Sequence, residues 1–355
     1  MIQVVPQLKP SRCGVSDHAI SLALELRRAY GLNSSIVILN ESDKPEIPIP
    51  YVNCTPETLE EACHSFVNHS APSLLVHYSG YGYSQDGAPL AFAQALARLK
   101  TSGEFRFGVY FHELYASGMP WTKAFWFSRR QKHVVRMIAQ HCDLIVTNLG
   151  FHKAWLERNT LNAPPAALRQ LPVFSNIGET DEIPSISGRE PALVVFGLPG
   201  TRRRSYERLR QMSDLLRALG IERIIDIGPE FDVPSAICGV PIGRKGILEK
   251  EEIFDILSSS RFGFVSHPSI CLAKSGSLAA FAALGVIPVV ASTFPAEMDG
   301  LTDGVHLISP HSVTAVRQKD LDRISTAIWS WYSLHNLRVH ARTYAELLEP
   351  AQAAI

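Results

Sequence analysis

The chain has no charge excess. Its 355 residues hold 34 Lys and Arg against 34 Asp and Glu, and a protein of nucleic acid or membrane surfaces usually leans basic. Nucleic-acid binding is therefore not expected. The six cysteines (13, 54, 63, 142, 238 and 271) form no CxxC and no regular spacing. Each lies in or beside an apolar stretch, which points to buried free thiols in a reducing compartment. No uninterrupted apolar run reaches the roughly 20 residues of a membrane span. The start, MIQVVPQLKPSRCG, lacks the charged opening and long apolar core of a signal peptide. The thirteen histidines show neither HxxxH nor HExxH, so no metal site is expected. These absences leave a cytoplasmic protein with at most peripheral membrane contact, and the length suits two domains.

What is present is organised around residues 261–293, RFGFVSHPSICLAKSGSLAAFAALGVIPVVAST. Phe262, Phe264 and Val265 make a short apolar run of strand formers, and Pro268 ends it by pushing His267 out of the helical region. Lys274, Ser275, Gly276 and Ser277 open an alanine-rich helix that Gly285 stops. Val286–Ala291 is a continuous apolar run, the mark of a strand buried on both faces. A helix N-terminus at the carboxyl end of a parallel strand attracts anions through its free N–H groups and dipole. Lys274 adds a full positive charge. This corner is read as a phosphate site.

The same alternation runs along the whole chain. Strands are expected at Ile2–Val5, Ile36–Leu39, Leu74–Tyr78, Phe107–Phe111 and Asp143–Thr147. They are expected again at Ala192–Phe196, Arg223–Gly228 and Val305–Ile308. Helices lie between them. Gly14 falls in the loop after the first strand, where a tight turn and a binding role are both open readings. His112 and Glu113 sit side by side at the end of Phe107–Phe111, as candidate acid–base or hydroxyl-binding groups. Arg202, Arg203 and Arg204 follow a buried strand, where a guanidinium could grip phosphate in two-pronged fashion. The segment from Trp121 to Arg136 is aromatic and basic. A helix buried by its aromatic stripe is the expected reading, with a lid, an acceptor wall or a membrane-contacting face as alternatives. Residues 41–56 read as exposed loop, and 160–190 has no clear period and holds the domain boundary. The result is an α/β protein with two parallel sheets. The first domain spans 1–175 and the second 190–330.

In this order the segments resemble the GT-B glycosyltransferases, especially the retaining family-4 enzymes that use nucleotide sugars. PSRCGVSDHAISLALEL (10–26) resembles their glycine-rich first loop and helix. FHELY (111–115) is similar to their strand-end histidine segment near the sugar, and CDLIVTNLGFHKAWL (142–156) to the stretch before the linker. VVFGLPGTRRRSYERL (194–209) is similar to the opening of the second domain, and SHPSICLAKSGSLAAFAALGVIPVV to the donor segment. The resemblance implies two Rossmann-like domains facing a central cleft, with a C-terminal helix in 335–355 packed back onto the first domain. It implies a nucleotide diphosphate sugar as co-substrate and a hydroxyl acceptor, a glycan or lipid-linked sugar. Gly14, Arg202, Arg204, Lys274, Ser275, Gly276 and Ser277 would hold the donor and its diphosphate. His112 and Glu113 would serve catalysis without a metal. Asp320-Leu321-Asp322 resembles the metal motif of the other glycosyltransferase fold, but its late helical position makes it a surface capping pair. One departure matters. Where that family carries two donor-site glutamates, this chain has Leu272 and Ala280. The expected activity is sugar transfer in polysaccharide or surface-glycan synthesis. The alternatives are a non-catalytic nucleotide-sugar or glycan binder that supports a partner transferase, and a sugar-phosphate epimerase.

Overall fold

Runs of Val, Ile, Leu and Phe bury both faces of a strand, and they dominate the centre of each sheet here, with Gln3, His77 and Asp226 among the buried polar exceptions. The computed structural model describes the chain except residues 9–13, 41–46, 68–72, 104, 117, 161–166, 293–296 and 350–355. It divides into two units.

The first unit runs from Met1 to Pro172 and takes in the C-terminal helix Leu337–Leu348. Its strands are β1 (Ile2–Val5), β2 (Ser35–Ile38), β3 (Tyr51–Asn53), β4 (Ser73–Tyr78), β5 (Arg106–Phe111), β6 (Leu144–Thr147) and β7 (Ala167–Gln170). They lie in the order β3-β2-β1-β4-β5-β6-β7, all parallel. Every residue of β1, β4 and β6 is buried. Such parallel sheets need helices on both faces. The C-terminal helix covers part of β5: a Cβ at Gly108 would stand 2.9 Å from the Leu348 side chain. Ser73 Oγ donates to the Leu348 carbonyl at 2.6 Å.

The second unit spans Val173–Asn336. Its strands are β8 (Glu190–Phe196), β9 (Arg223–Ile227), β10 (Ala236–Ile237), β11 (Val240–Gly246), β12 (Ser260–Val265) and β13 (Ile287–Val290). The order is β10-β11-β9-β8-β12-β13, parallel apart from the β10–β11 hairpin. Helices Pro199–Leu209, Lys250–Ser259, Gly276–Ala283 and Leu321–Ser333 alternate with them.

Several local expectations are corrected. Tyr51–Asn53 lies in the stretch read as loop, yet it is an edge strand. β11, Val240–Gly246, is not among the expected strands; it is mostly exposed and so has no apolar signature. Val305–Ile308 is no strand; Ile308 makes an isolated bridge to Val289. The helix at Lys123–Ala139 does not bury its aromatic stripe. Val134, Val135, Ile138 and Ala139 do the packing, while Trp121 and Trp126 stay exposed.

Candidate functional site

In an open parallel sheet, ligands bind outside the carboxyl ends of the strands, where the winding reverses. In the second unit that point lies between β8 and β12, since β9 flanks β8 on its other side. Two loops meet there. One leaves β8 through Gly197, whose φ of 134° lies in the left-handed half of the map, and leads into the helix Pro199–Leu209. The other leaves β12 through Ser266, His267 and Pro268. A 3-10 turn, Ser269–Lys274, then delivers the chain to the helix Gly276–Ala283.

Ser275 caps that helix. Its Oγ accepts from the Leu278 amide at 3.3 Å and lies 3.4 Å from His267 Nδ1. Its side chain therefore serves the helix, and Ser275 is buried. Helix geometry leaves the amides of the first turn aimed outward at Gly276 and Ser277. Burial lowers the His267 pKa, and the positive charges of Lys274 and Arg204 lower it further. Lys274, Arg204, His267 and the helix start therefore form one electropositive corner. It is the one expected from the sequence, with His267 added. The signal for His267 was its place at the end of β12.

Arg202 is placed differently from its expected role. It is 1% exposed, and its Nη1 donates to Asp226 Oδ1 at 2.6 Å. Nη2 donates to the Pro229 carbonyl, the guanidinium lies over the Phe231 ring, and Tyr206 Oη donates to Asp226 Oδ2 at 2.5 Å. This is a buried structural network, and Arg202 is not available to a diphosphate. Arg204, two residues on and so on the opposite helix face, is exposed. Leu272 and Ala280 are 1% and 0% exposed, so the positions without glutamate are filled by core.

In the first unit the winding reverses between β1 and β4. Four histidines converge near that point: His77 on β4, His112 after β5, His18 on the helix Gly14–Tyr30, and His340 on the C-terminal helix. The His18 ring stacks on Tyr110 at 4.8 Å and meets the His112 and His340 rings edge-on at 5.0 and 5.5 Å. His112 Nε2 lies 3.4 Å from His77 Nδ1, and His77 Nε2 donates to Gln3 Oε1 at 2.7 Å. Desolvation drives the His77 pKa down to about 3 and that of His340 to about 4, and it holds His18 and His112 well below the usual value. All four are neutral at pH 7.

His112 was expected to project from the strand end. Its imidazole instead turns into this cluster and is 9% exposed. Glu113, the next residue, is half-buried and stays near the surface. Ligand nitrogens of His18, His77 and His112 come within 4.8 Å of one another, so these three are the group among the described residues that could hold a metal. Three neutral histidine nitrogens are a donor set that zinc accepts, with a fourth position left for water. Gly14 opens the helix with φ outside the left-handed region, and an added Cβ would meet nothing within 4 Å. Neither a tight turn nor close packing requires glycine there. The rest of that loop, 9–13, lies outside the described residues.

No protein-family model and no curated protein sequence matches the chain. Solved structures do. A sucrose-phosphate synthase from Thermosynechococcus elongatus is 13% identical, with a TM-score of 0.61, over 100% of this chain and 99% of that one. A putative UDP-N-acetylglucosamine 2-epimerase from Listeria monocytogenes is 12% identical, with a TM-score of 0.62, over 99% and 96%. An alpha-glucosyltransferase in complex with UDP-glucose and DNA containing an abasic site is 13% identical, with a TM-score of 0.58, over 94% and 95%. The fold is therefore GT-B, two Rossmann-like α/β units in one chain.

Proposed function

We propose that the protein is a glycosyltransferase that moves a sugar from a nucleotide diphosphate sugar to a hydroxyl acceptor. A role in polysaccharide or surface-glycan synthesis fits that chemistry. The observation that supports it most is the electropositive corner at the β8–β12 reversal. Its groups suit the charge that grows on a leaving diphosphate: Lys274, Arg204, and the Gly276 and Ser277 amides at the helix start. The Arg202 network supports the corner from below by fixing the helix that carries Arg204. Glu113, which follows β5 and is half-buried, is the group on the first unit proposed to position an acceptor or sugar hydroxyl. His112 supports it from within the buried cluster. No cofactor or metal is invoked; the nucleotide sugar is a co-substrate.

A second reading keeps the binding and drops the transfer. The buried Leu272 and Ala280 favour it, because the resembled family places carboxylates there. A thermal-shift panel of nucleoside diphosphates and their sugars, followed by a turnover screen, separates the two. Stabilisation with turnover supports transfer, and stabilisation without turnover supports the non-catalytic binder. No stabilisation by any nucleotide refutes the donor corner. Epimerised sugar without transfer would replace it with epimerase chemistry.

A further inference from the structure

The charge balance of the whole chain hides a local imbalance. Between Glu113 and Asp143 there is no acidic residue, yet Lys123, Arg129, Arg130, Lys132 and Arg136 all fall there. The same segment carries the largest exposed aromatics of the first unit. Trp121 is 78% exposed, Trp126 68%, Met119 57% and Phe125 38%. Scattered single apolar residues on a surface are ordinary, but four within eight residues form a patch.

The patch is held in shape. Thr122 Oγ1 donates to the Met119 carbonyl at 2.7 Å and the Thr122 amide donates to the same oxygen at 2.8 Å. Thr122 also caps the helix Lys123–Ala139 by accepting from the Phe125 amide. Met119 and Trp121 thus stand on a closed turn, and Phe125 and Trp126 meet edge to face at 5.6 Å. Arg129 and Arg130 follow Trp126 by three and four residues, which puts them on the same helix face. The acidic group facing the patch is Asp86, 3.2 Å from Arg130. Further along, Lys132 lies over the Tyr115 ring and Arg136 donates to Asn159, so the outward cations cluster beside the tryptophans.

Exposed tryptophans next to arginines, with the one nearby carboxylate, Asp86, paired to Arg130, match the boundary of an anionic bilayer. Indole rings favour the headgroup depth, and guanidinium groups pair with lipid phosphate. No helix among the described residues is long and apolar enough to cross a membrane, so contact would be peripheral. We propose that the surface from Met119 to Arg130 docks the protein on an anionic lipid leaflet. Trp121 and Trp126 enter the headgroup layer, and Arg129 and Arg130 pair with phosphates. The proposal stands on this surface alone and does not depend on the transfer reading.

The test uses the full chain with two vesicle types, pure phosphatidylcholine and phosphatidylcholine with 30% phosphatidylglycerol. Co-sedimentation and the tryptophan emission maximum are read together. Expected are binding to the anionic vesicles, a blue shift, and loss of binding as salt rises. Trp121→Ser with Trp126→Ser should weaken partitioning at least tenfold. Arg129→Gln with Arg130→Gln should weaken it about fivefold per residue removed. Both pairs are exposed, so an unchanged melting temperature is the folding control. Three results overturn the proposal: no partitioning into anionic vesicles, equal binding to neutral ones, or undiminished binding by the tryptophan pair. Light scattering adds a fourth. A dimer that the tryptophan pair converts to monomer would show that a second copy covers the patch.

Discussion

Acidification should unfold the first unit in a pH range where carboxylates are still ionised. The perturbation is protonation of the four-histidine cluster, fully buried around Tyr110. In the unfolded chain each ring titrates near its ordinary 6.5; in the folded chain the His77 pKa is about 3 and that of His340 about 4, while His18 and His112 are held well below normal. The folded pKa is depressed, so the stability these groups contribute is complete above pH 6.5. It is lost as pH falls from there through the folded values, because only the unfolded chain takes up the protons. Each ring costs about 1.4 kcal/mol per pH unit across that window. At pH 5.5 His77 and His340 together cost roughly 3 kcal/mol, a large part of the total stability of a small domain, and His18 and His112 act in the same direction.

Urea unfolding at pH 7.5, 6.5 and 5.5, with proton uptake measured by titration, tests this. Uptake on unfolding at pH 5.5 should reach at least about two protons per chain, from His77 and His340, with His18 and His112 adding to it. His77→Gln, which keeps an amide beside Gln3, should lower stability at pH 7.5 and remove about one proton from the slope. A slope unchanged in that variant, or less than one proton taken up by the wild type at pH 5.5, would refute the neutral cluster.

Four further outcomes are expected. Lys274→Ala should weaken nucleoside diphosphate binding by about 1.5–3 kcal/mol, the scale of a charge-assisted hydrogen bond, as read by calorimetry. That binding should tighten as pH falls, because a diphosphate beside His267 opposes the burial and cations that lower its pKa; calorimetry in buffers of different ionisation heat would show net proton uptake. Glu113→Gln should lower turnover while donor binding survives, and full turnover would remove Glu113 from the site. Truncation before Trp329 should give insoluble or molten protein. It removes Trp331 from the second unit and the helix Leu337–Leu348, which buries Tyr344, Ala345 and Leu348, from the first.

Much of the fold was legible because buried parallel strands have an unmistakable composition. Ile2–Val5 matches β1 at both ends, and the strands at 74–78, 107–111 and 223–228 were placed within a residue or so. What was not legible follows from the same rule. β3 is a three-residue edge strand and β11 faces solvent, so neither shows an apolar run. The helix at 123–139 was misread because its aromatics looked like core, yet its smaller Val and Ala residues fill that role. In the helix Leu321–Ser333, Ile324, Ile328 and Trp331 fall at helical spacing and are buried, whereas Leu334, just past its end, is 75% exposed.

The site was legible in its backbone and less so in its side chains. Lys274, Ser275 and Gly276 follow from a strand end, a cap and a helix start, which are local signals. The triple arginine is different, since only helical phase separates its members. Within Pro199–Leu209 the buried residues are Arg202, Ser205, Tyr206 and Leu209, a stripe at three- and four-residue spacing. Arg202 is on that stripe and Arg204 is not. Asp226 is the matching clue: a lone carboxylate inside the apolar strand Arg223–Ile227 must meet a cation or stay protonated. An acid within a buried strand and an arginine in phase with Tyr206 and Leu209 together mark the pair in the sequence. The same reasoning makes a discriminating experiment. Arg202→Met should lower stability by about 3–5 kcal/mol, the cost of leaving a buried charge unpaired. Arg204→Gln should leave stability near wild type and weaken diphosphate binding instead. If both variants fold as well as wild type and differ only in binding, Arg202 belongs to the diphosphate after all and the buried network is wrong.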